Sequence, residues 1–159
     1  MQYVRALKES GCKWFIYENN YSIHQNIKNF ISEQLCVQPV MINSAIVSAQ
    51  SRKRCYWTNI PFCTLIDKEI KLQDILEYGI TDRLKSKTVR CGGGSSGWGD
   101  KHEWDMPNPL RKYTTIELER LQTLPDNYTL GVPESQRRKC IGNCWTVDVI
   151  AHIVKGLKN

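Results

Sequence analysis

The chain has 159 residues, enough for one domain with a real core or one domain carrying a small appendage. Apolar residues make up 41% and charged residues 24%, which excludes a disordered or fibrous chain and is ordinary for a folded soluble one. Lys and Arg number 22 against 16 Asp and Glu, and this formal charge of +6 weakly favours polyanionic partners, since many soluble proteins are basic.

The opening stretch "MQYVRALKESG" has no signal-peptide core, and no later apolar run is long enough to span a bilayer. The reading is an intracellular chain with no membrane partner. "CKWFIYEN" (12–19) is a short apolar, aromatic run ending in polar residues, the pattern of a buried parallel strand. Ser22 with Gln25 three residues on predicts a capping box, followed by a helix that carries Ile23, Ile27, Phe30, Ile31 and Leu35 at helical spacing. Two more strands are expected around "PVMI" and "RCYWTNI", joined by "NSAIVSAQ". Strand, helix, strand is an α/β pattern.

Within this region "SAQSRKRCYWTN" (48–59) places Gln50, Arg52 and Arg54 two apart, so in an extended strand they share a face. Two readings stand at this point. One is a solvated edge strand, with Ser51 and Lys53 on the other side. The other is a polar wall for a planar, hydrogen-bonding, anionic ligand such as a nucleotide.

After Pro61 the texture changes. "IKLQDILEYG" predicts a short helix ended by Gly79, and "LKSKTVRCGGGSSGWGDKHEWDMPNP" predicts a long functional loop or small inserted subdomain. Basic residues cluster here, at Arg83, Lys85, Lys87 and Arg90, as they do at Arg52, Lys53 and Arg54 and at Arg137, Arg138 and Lys139. Gly92, Gly94 and Gly97 fit the dinucleotide pattern G-x-G-x-x-G, but "WGDKHEWDMPNP" cannot open the helix that the motif requires. From "TTIELERLQTLP" onward helices return. Thr114 and Glu117 predict a capping box, Leu118 and Leu121 share a face, and a last helix from about Thr146 to Leu157 aligns Val147, Ile150, Val154 and Leu157. The seven cysteines, an odd count, read as free thiols, several of them in the core; "CIGNC" is not a Cys-x-x-Cys pair, so no metal is expected.

Four blocks in order, "WFIYENN", "SAQSRKRCYWTNIP", "RKYTTIELERLQTLPDNYT" and "IGNCWTVDVIAHIVKGL", resemble the later motifs of DNA cytosine-5 methyltransferases. They are similar to the Glu-Asn-Val, Gln-x-Arg-x-Arg, Arg-Leu-Gln-x-x-Pro and C-terminal Gly-Asn motifs, with wording closest to the de novo branch. The departure is Asn20, where the family usually has Val. The resemblance implies a partial S-adenosylmethionine-dependent, Rossmann-like sheet with a small irregular target-recognition region. It implies second-half catalytic-domain strands and helix over 1–61, target recognition over 62–110, and closing helices over 111–159. Glu18, Arg52 and Arg54 are then the cytosine clamp, with Gln50 supporting that wall. A base so handled must leave the duplex, and a carboxyl beside guanidiniums can neutralise charge entering the ring. Asn143 and Trp145 are expected to border the S-adenosylmethionine pocket. Gln50, Arg83, Lys85, Lys87 and Arg90 are expected on the double-stranded DNA, in a cytoplasmic or nucleoid-associated setting such as restriction-modification.

The family's catalytic cysteine sits in a Pro-Cys dipeptide, and these 159 residues contain none; "PFC" (Cys63) falls after the arginine block. The glycine-rich cofactor loop is absent too. Two expectations follow. The chain is a subunit of a split methyltransferase, using S-adenosylmethionine only when a partner half completes it, and it associates with that complementary half or as a homo-oligomer. Alternatively it is a non-catalytic DNA-binding, inhibitory or regulatory derivative.

Overall fold

The computed structural model describes residues 2–90 and 111–158. Among these, strands β1 (Ile16–Asn20), β2 (Val40–Asn43) and β3 (Lys53–Thr58) form one antiparallel sheet in the order β1-β3-β2. β3 takes the middle because Cys55, Tyr56 and Trp57 are all buried, and a run apolar on both faces is stable only where both faces are covered. The chain is α/β as expected, but β1 pairs antiparallel to β3 and is only half-buried. The prediction of a buried parallel strand at 12–19 is therefore corrected: β1 has a strand on one side only among the described residues.

The described residues fall into two compact units that interleave along the chain. One draws on Met1–Asn43, Lys53–Thr64 and His152–Asn159, the other on Ser44–Arg52 and Leu65–Ala151. In the first unit α1 (Gln2–Ser10) and α2 (Gln25–Leu35) cover one face of the sheet. Val4, Ile31 and Leu35 pack with Cys55 and Trp57, and the rings of Tyr3, Tyr17 and Trp57 meet in series at tilted angles, with centroids 4.7 and 5.8 Å apart. Burying these aromatic and aliphatic side chains contributes roughly 1.5–3 kcal/mol each. α2 starts later than its expected box. His24, not Ser22, caps it, its Nδ1 accepting from the Asn26 N–H at 3.2 Å. Ile27 and Phe30 of the expected stripe stay half-exposed. α1, which the sequence reading did not mark, packs Tyr3, Val4 and Leu7 into this cluster.

The second unit contains α3 (Leu72–Ile75), α4 (Thr115–Leu121) and α5 (Glu134–Asn143) around a core of Ala49, Leu72, Ile75, Val89, Tyr113, Leu118, Leu121 and Ile141. α4 has the expected capping box: Thr114 Oγ1 accepts from the Glu117 N–H, and the Glu117 carboxylate accepts from the Thr114 N–H. Helix α6 (Val147–Lys155) begins where expected, but its buried residues are Val149 and Ile153, with Thr146 before it and Gly156 after it. The predicted stripe of Val147, Ile150, Val154 and Leu157 is therefore the more exposed side, with Val154 and Leu157 each 40% exposed. The 3₁₀ turn that follows requires Gly156, because a Cβ there would sit 1.7 Å from the Pro61 carbonyl oxygen. Of the six described cysteines only Cys55 is buried and four are exposed, so the expectation of several core thiols is corrected. Gly92, Gly94 and Gly97 lie outside the described residues, as does most of the long loop.

Candidate functional site

In the first unit the sheet register brings Glu18 and Arg54 together. Glu18 faces Tyr56 and Arg54 faces Asn20 across the β1–β3 pair, which puts Glu18 and Arg54 on a diagonal of one face. Glu18 Oε1 lies 2.7 Å from Arg54 Nε, with side chains 17% and 14% exposed, and Arg54 Nη1 donates to the Lys53 carbonyl at 2.9 Å. Cys55, Trp57 and Tyr17 point the other way, toward α1 and α2, so the pair occupies the opposite face, together with the buried Tyr56. Asn20, the departure from the motif, keeps its place in the strand register. The chemistry available is a carboxyl group held against a planar cation, able to bind a ring that offers both acceptors and an amino donor.

Gln50 and Arg52 belong to the second unit and are buried there. Gln50 donates through Nε2 to the Leu121 carbonyl at 2.6 Å and to Gln122 Oε1 at 2.8 Å, and its Oε1 accepts from the Val89 N–H at 3.1 Å. Gln122 donates to the carbonyls of Ile141 at 2.9 Å and Cys144 at 3.3 Å, and accepts from Thr146 Oγ1. Arg52 donates from Nη1 to the Val89 carbonyl at 2.8 Å and from Nη2 to the Cys144 carbonyl at 3.2 Å. The same two residues, Val89 and Cys144, are thus held by a glutamine and by the arginine. The Gln-x-Arg, Arg-Leu-Gln and Gly-Asn blocks meet in this network. Sequence reasoning did not single out Gln122 or Thr146, although both stand inside quoted blocks; their polarity gave no sign of burial.

Two carboxylates of the Arg-Leu-Gln block are also buried. Burial alone would push the Glu117 carboxyl up, but Arg111 and the N–H groups of Thr114 and Glu77 outweigh it and hold it below the usual range. Glu119 is likewise held low against its burial by Thr129, Arg137 and the Asn127 N–H. Both are satisfied structural anions. Burial pushes the Cys55 and Cys144 thiols up, so neither is a ready thiolate nucleophile. Cys63 Sγ lies 3.8 Å from His152 Nε2, and that ring nitrogen is 2.8 Å from the Cys63 carbonyl, a contact within the first unit.

The basic cluster divides. Lys85 Nζ, expected on the DNA, donates to the carbonyls of Ala45, Ser48 and Ile70 at 2.6, 3.0 and 2.6 Å, so its ammonium ties the fold together here. Arg83, Lys87 and Arg90 are exposed. Asn143, at the end of α5, is exposed and Trp145 is 43% exposed. Among the described residues no group of three His, Cys, Asp or Glu could hold a metal, and no helix is long and apolar enough to cross a membrane.

A short antiparallel sheet that carries an acid–guanidinium pair in one unit, and a buried glutamine network in the other, define an α/β protein with a candidate base-holding site. Residues 50–159 match the family model for C-5 cytosine-specific DNA methylase, and the chain belongs to that family. It is 29% identical over 94 residues to the type II methyltransferase M.HaeII of Haemophilus aegyptius, a match covering 59% of this chain and 29% of that protein. It is 40% identical over 52 residues to the type II methyltransferase M.Sau3AI of Staphylococcus aureus, covering 33% of this chain and 13% of that one. In fold it is similar to the Entamoeba histolytica methyltransferase EhMeth (TM-score 0.66, 17% identity, 91% of this chain and 62% of that chain). A Spodoptera frugiperda DNMT2 variant gives a TM-score of 0.64 at 15% identity, covering 92% of this chain and 66% of that one. The chain thus spans less than two thirds of the length of these proteins, and the Glu18 block lies outside the residues that match the family model.

Proposed function

We propose that this chain supplies the cytosine-holding and DNA-contacting part of a DNA (cytosine-5-)-methyltransferase, corresponding to its C-terminal portion. The Glu18–Arg54 contact at 2.7 Å carries the reading. Addition of a nucleophile at C6 of cytosine drives negative charge into the ring. A carboxyl group on the N3 and amino edge and a guanidinium donating to the ring oxygen neutralise that charge where it develops. The base reaches such a pair only when it is swung out of the duplex. Wording closest to the de novo branch is supported by the short stretch between the arginine block and the Arg-Leu-Gln block.

Asn143 and Trp145 fit one side of an S-adenosylmethionine site, since an exposed amide and an exposed indole are free to face a polar, aromatic ligand. The bound cofactor would supply an electrophilic methyl group. The nucleophile is not among these residues, because no Pro-Cys dipeptide occurs in the sequence. Activity on double-stranded DNA inside the cell therefore requires a further polypeptide segment that carries it, such as a complementary methyltransferase half. That missing dipeptide equally favours a second reading, a methyltransferase-derived DNA-binding or regulatory protein.

Complementation separates the two. The purified chain alone, given labelled methyl donor and cytosine-containing duplex, is expected to transfer nothing above background. Adding a polypeptide with the Pro-Cys loop and cofactor site is expected to restore transfer, and Glu18→Gln is expected to reduce it by about 100-fold or more, the scale of a positioned general acid. Transfer by the chain alone overturns the partner requirement. Transfer unaffected by Glu18→Gln overturns the site.

A further inference from the structure

At the end of the sheet that carries Glu18 and Arg54, a second group of side chains has no part in holding the base. Tyr21 directly follows β1 and is 46% exposed. Lys28 Nζ, from α2, lies 4.4 Å from its ring centroid, and Lys53 Nζ, from the first residue of β3, lies 6.0 Å from it. Neither ammonium is ion-paired to a carboxylate among the described residues. Sequence and register gather them: Tyr21 is three residues past Glu18, and Lys53 adjoins Arg54.

Two like charges over one ring repel, and an exposed cation–π contact offsets only about 0.5–1 kcal/mol. Ammonium groups left without carboxylates beside an exposed aromatic face match the chemistry of a nucleic-acid strand, which offers phosphodiester charge and flat rings in alternation. The alternation of β3 places Lys53 on the side of α1 and α2 and Arg54 on the opposite side, so both stand at the same end of the sheet on opposite faces. Arg54 faces Asn20 in the register, so a strand whose base is drawn to Arg54 has Tyr21 and Lys53 within one residue of it.

We propose that Lys28, Lys53 and Tyr21 form a backbone contact for the DNA strand beside the base-holding pair. The two ammonium groups take phosphodiester oxygens, and the Tyr21 ring lies against the adjoining sugar or base. This rests on the base-holding reading of Glu18 and Arg54, and the test keeps the two apart.

The full chain is titrated with fluorescently labelled single-stranded oligonucleotides, one of thymidine only and one containing cytosine, at several salt concentrations. Lys28→Gln with Lys53→Gln is expected to reduce the slope of log affinity against log salt by about 1.4, the share of two phosphate contacts on a single strand. Tyr21→Ala is expected to weaken binding about tenfold with the slope nearly unchanged. The exposed Lys8→Gln is the control and is expected to leave the slope alone. Thermal unfolding checks that every variant is folded. A slope that the double lysine variant does not move overturns the proposal, and the base-holding reading survives if cytosine is still preferred and Arg54→Ala removes that preference. A moved slope with no cytosine preference supports the backbone contact and counts against the clamp. Absence of binding to either oligonucleotide overturns both.

Discussion

Arg54 and Glu18 stand 36 positions apart in the sequence, and only the pairing of β1 with β3 makes them neighbours. Their contact depends on a planar guanidinium, so Arg54→Lys is expected to keep the fold while losing discrimination for cytosine, because an ammonium cannot reproduce the forked geometry. Oligonucleotide titration of that variant checks it; retained discrimination would mean that charge alone suffices. The buried carboxylates make a different demand. Glu117 is held by Arg111, whose Nη1 and Nη2 lie 2.7 and 2.6 Å from its two oxygens. Glu117→Gln leaves a buried guanidinium without its counter-charge, at an expected cost of about 3–5 kcal/mol at neutral pH. The native carboxyl is depressed below 4.5, so its contribution is complete above that value and fades as pH falls through the lower, folded-state value. Urea unfolding midpoints of the native protein and the variant should therefore converge in acid. A gap that stays constant down to pH about 3 would show that the charge is not what stabilises the site.

At the scale of elements, the second unit is tied by buried amides as well as by buried charges. Gln122, just past the end of α4, is buried and touches Gln50, Ile141, Cys144 and Thr146. Gln122→Leu is close in volume but strips the partner from several buried polar groups, at about 1–3 kcal/mol each. The expected loss is large, and differential scanning calorimetry would show it; a melting temperature within a degree or two of native would refute the bracing role. The elements themselves were legible to different degrees. β3 and α4 were readable because a buried "CYW" run and a Thr–Glu capping box are local signals. Glu18 with Arg54 was readable only through a family resemblance, since neither residue's neighbours hint at the other. The stripe on α6 was misread by about one position in the helical wheel, because Val147, Ile150 and Val154 are as apolar as Val149 and Ile153. A helix apolar on most sides does not reveal which side is buried. The antiparallel direction of β1 was not legible at all, since a half-covered aromatic run reads the same in either orientation.

For the molecule as a whole, the misread stripe now separates two roles that the sequence had merged. Val149 and Ile153 are wholly buried, whereas Val154, Leu157 and Trp145 keep 40–43% of their surface exposed. Strand β1 also has a strand on only one side among the described residues. An unpaired strand edge and exposed large apolar side chains recruit a partner or self-associate. The expectation is that the chain sediments at micromolar concentration as a homo-oligomer or, from its native source, with a second polypeptide. Ile153→Asp places a charge where the side chain is fully buried and is expected to unfold the protein outright. Val154→Asp together with Leu157→Asp changes only exposed positions, so it is expected to cost about 0.5 kcal/mol or less of stability each. If these faces hold a partner, that double variant yields folded, soluble monomers with a near-native melting temperature. If the native chain is already a clean monomer, and the double variant sediments identically, the exposed side of α6 covers nothing. The partner requirement would then rest on the missing nucleophile alone.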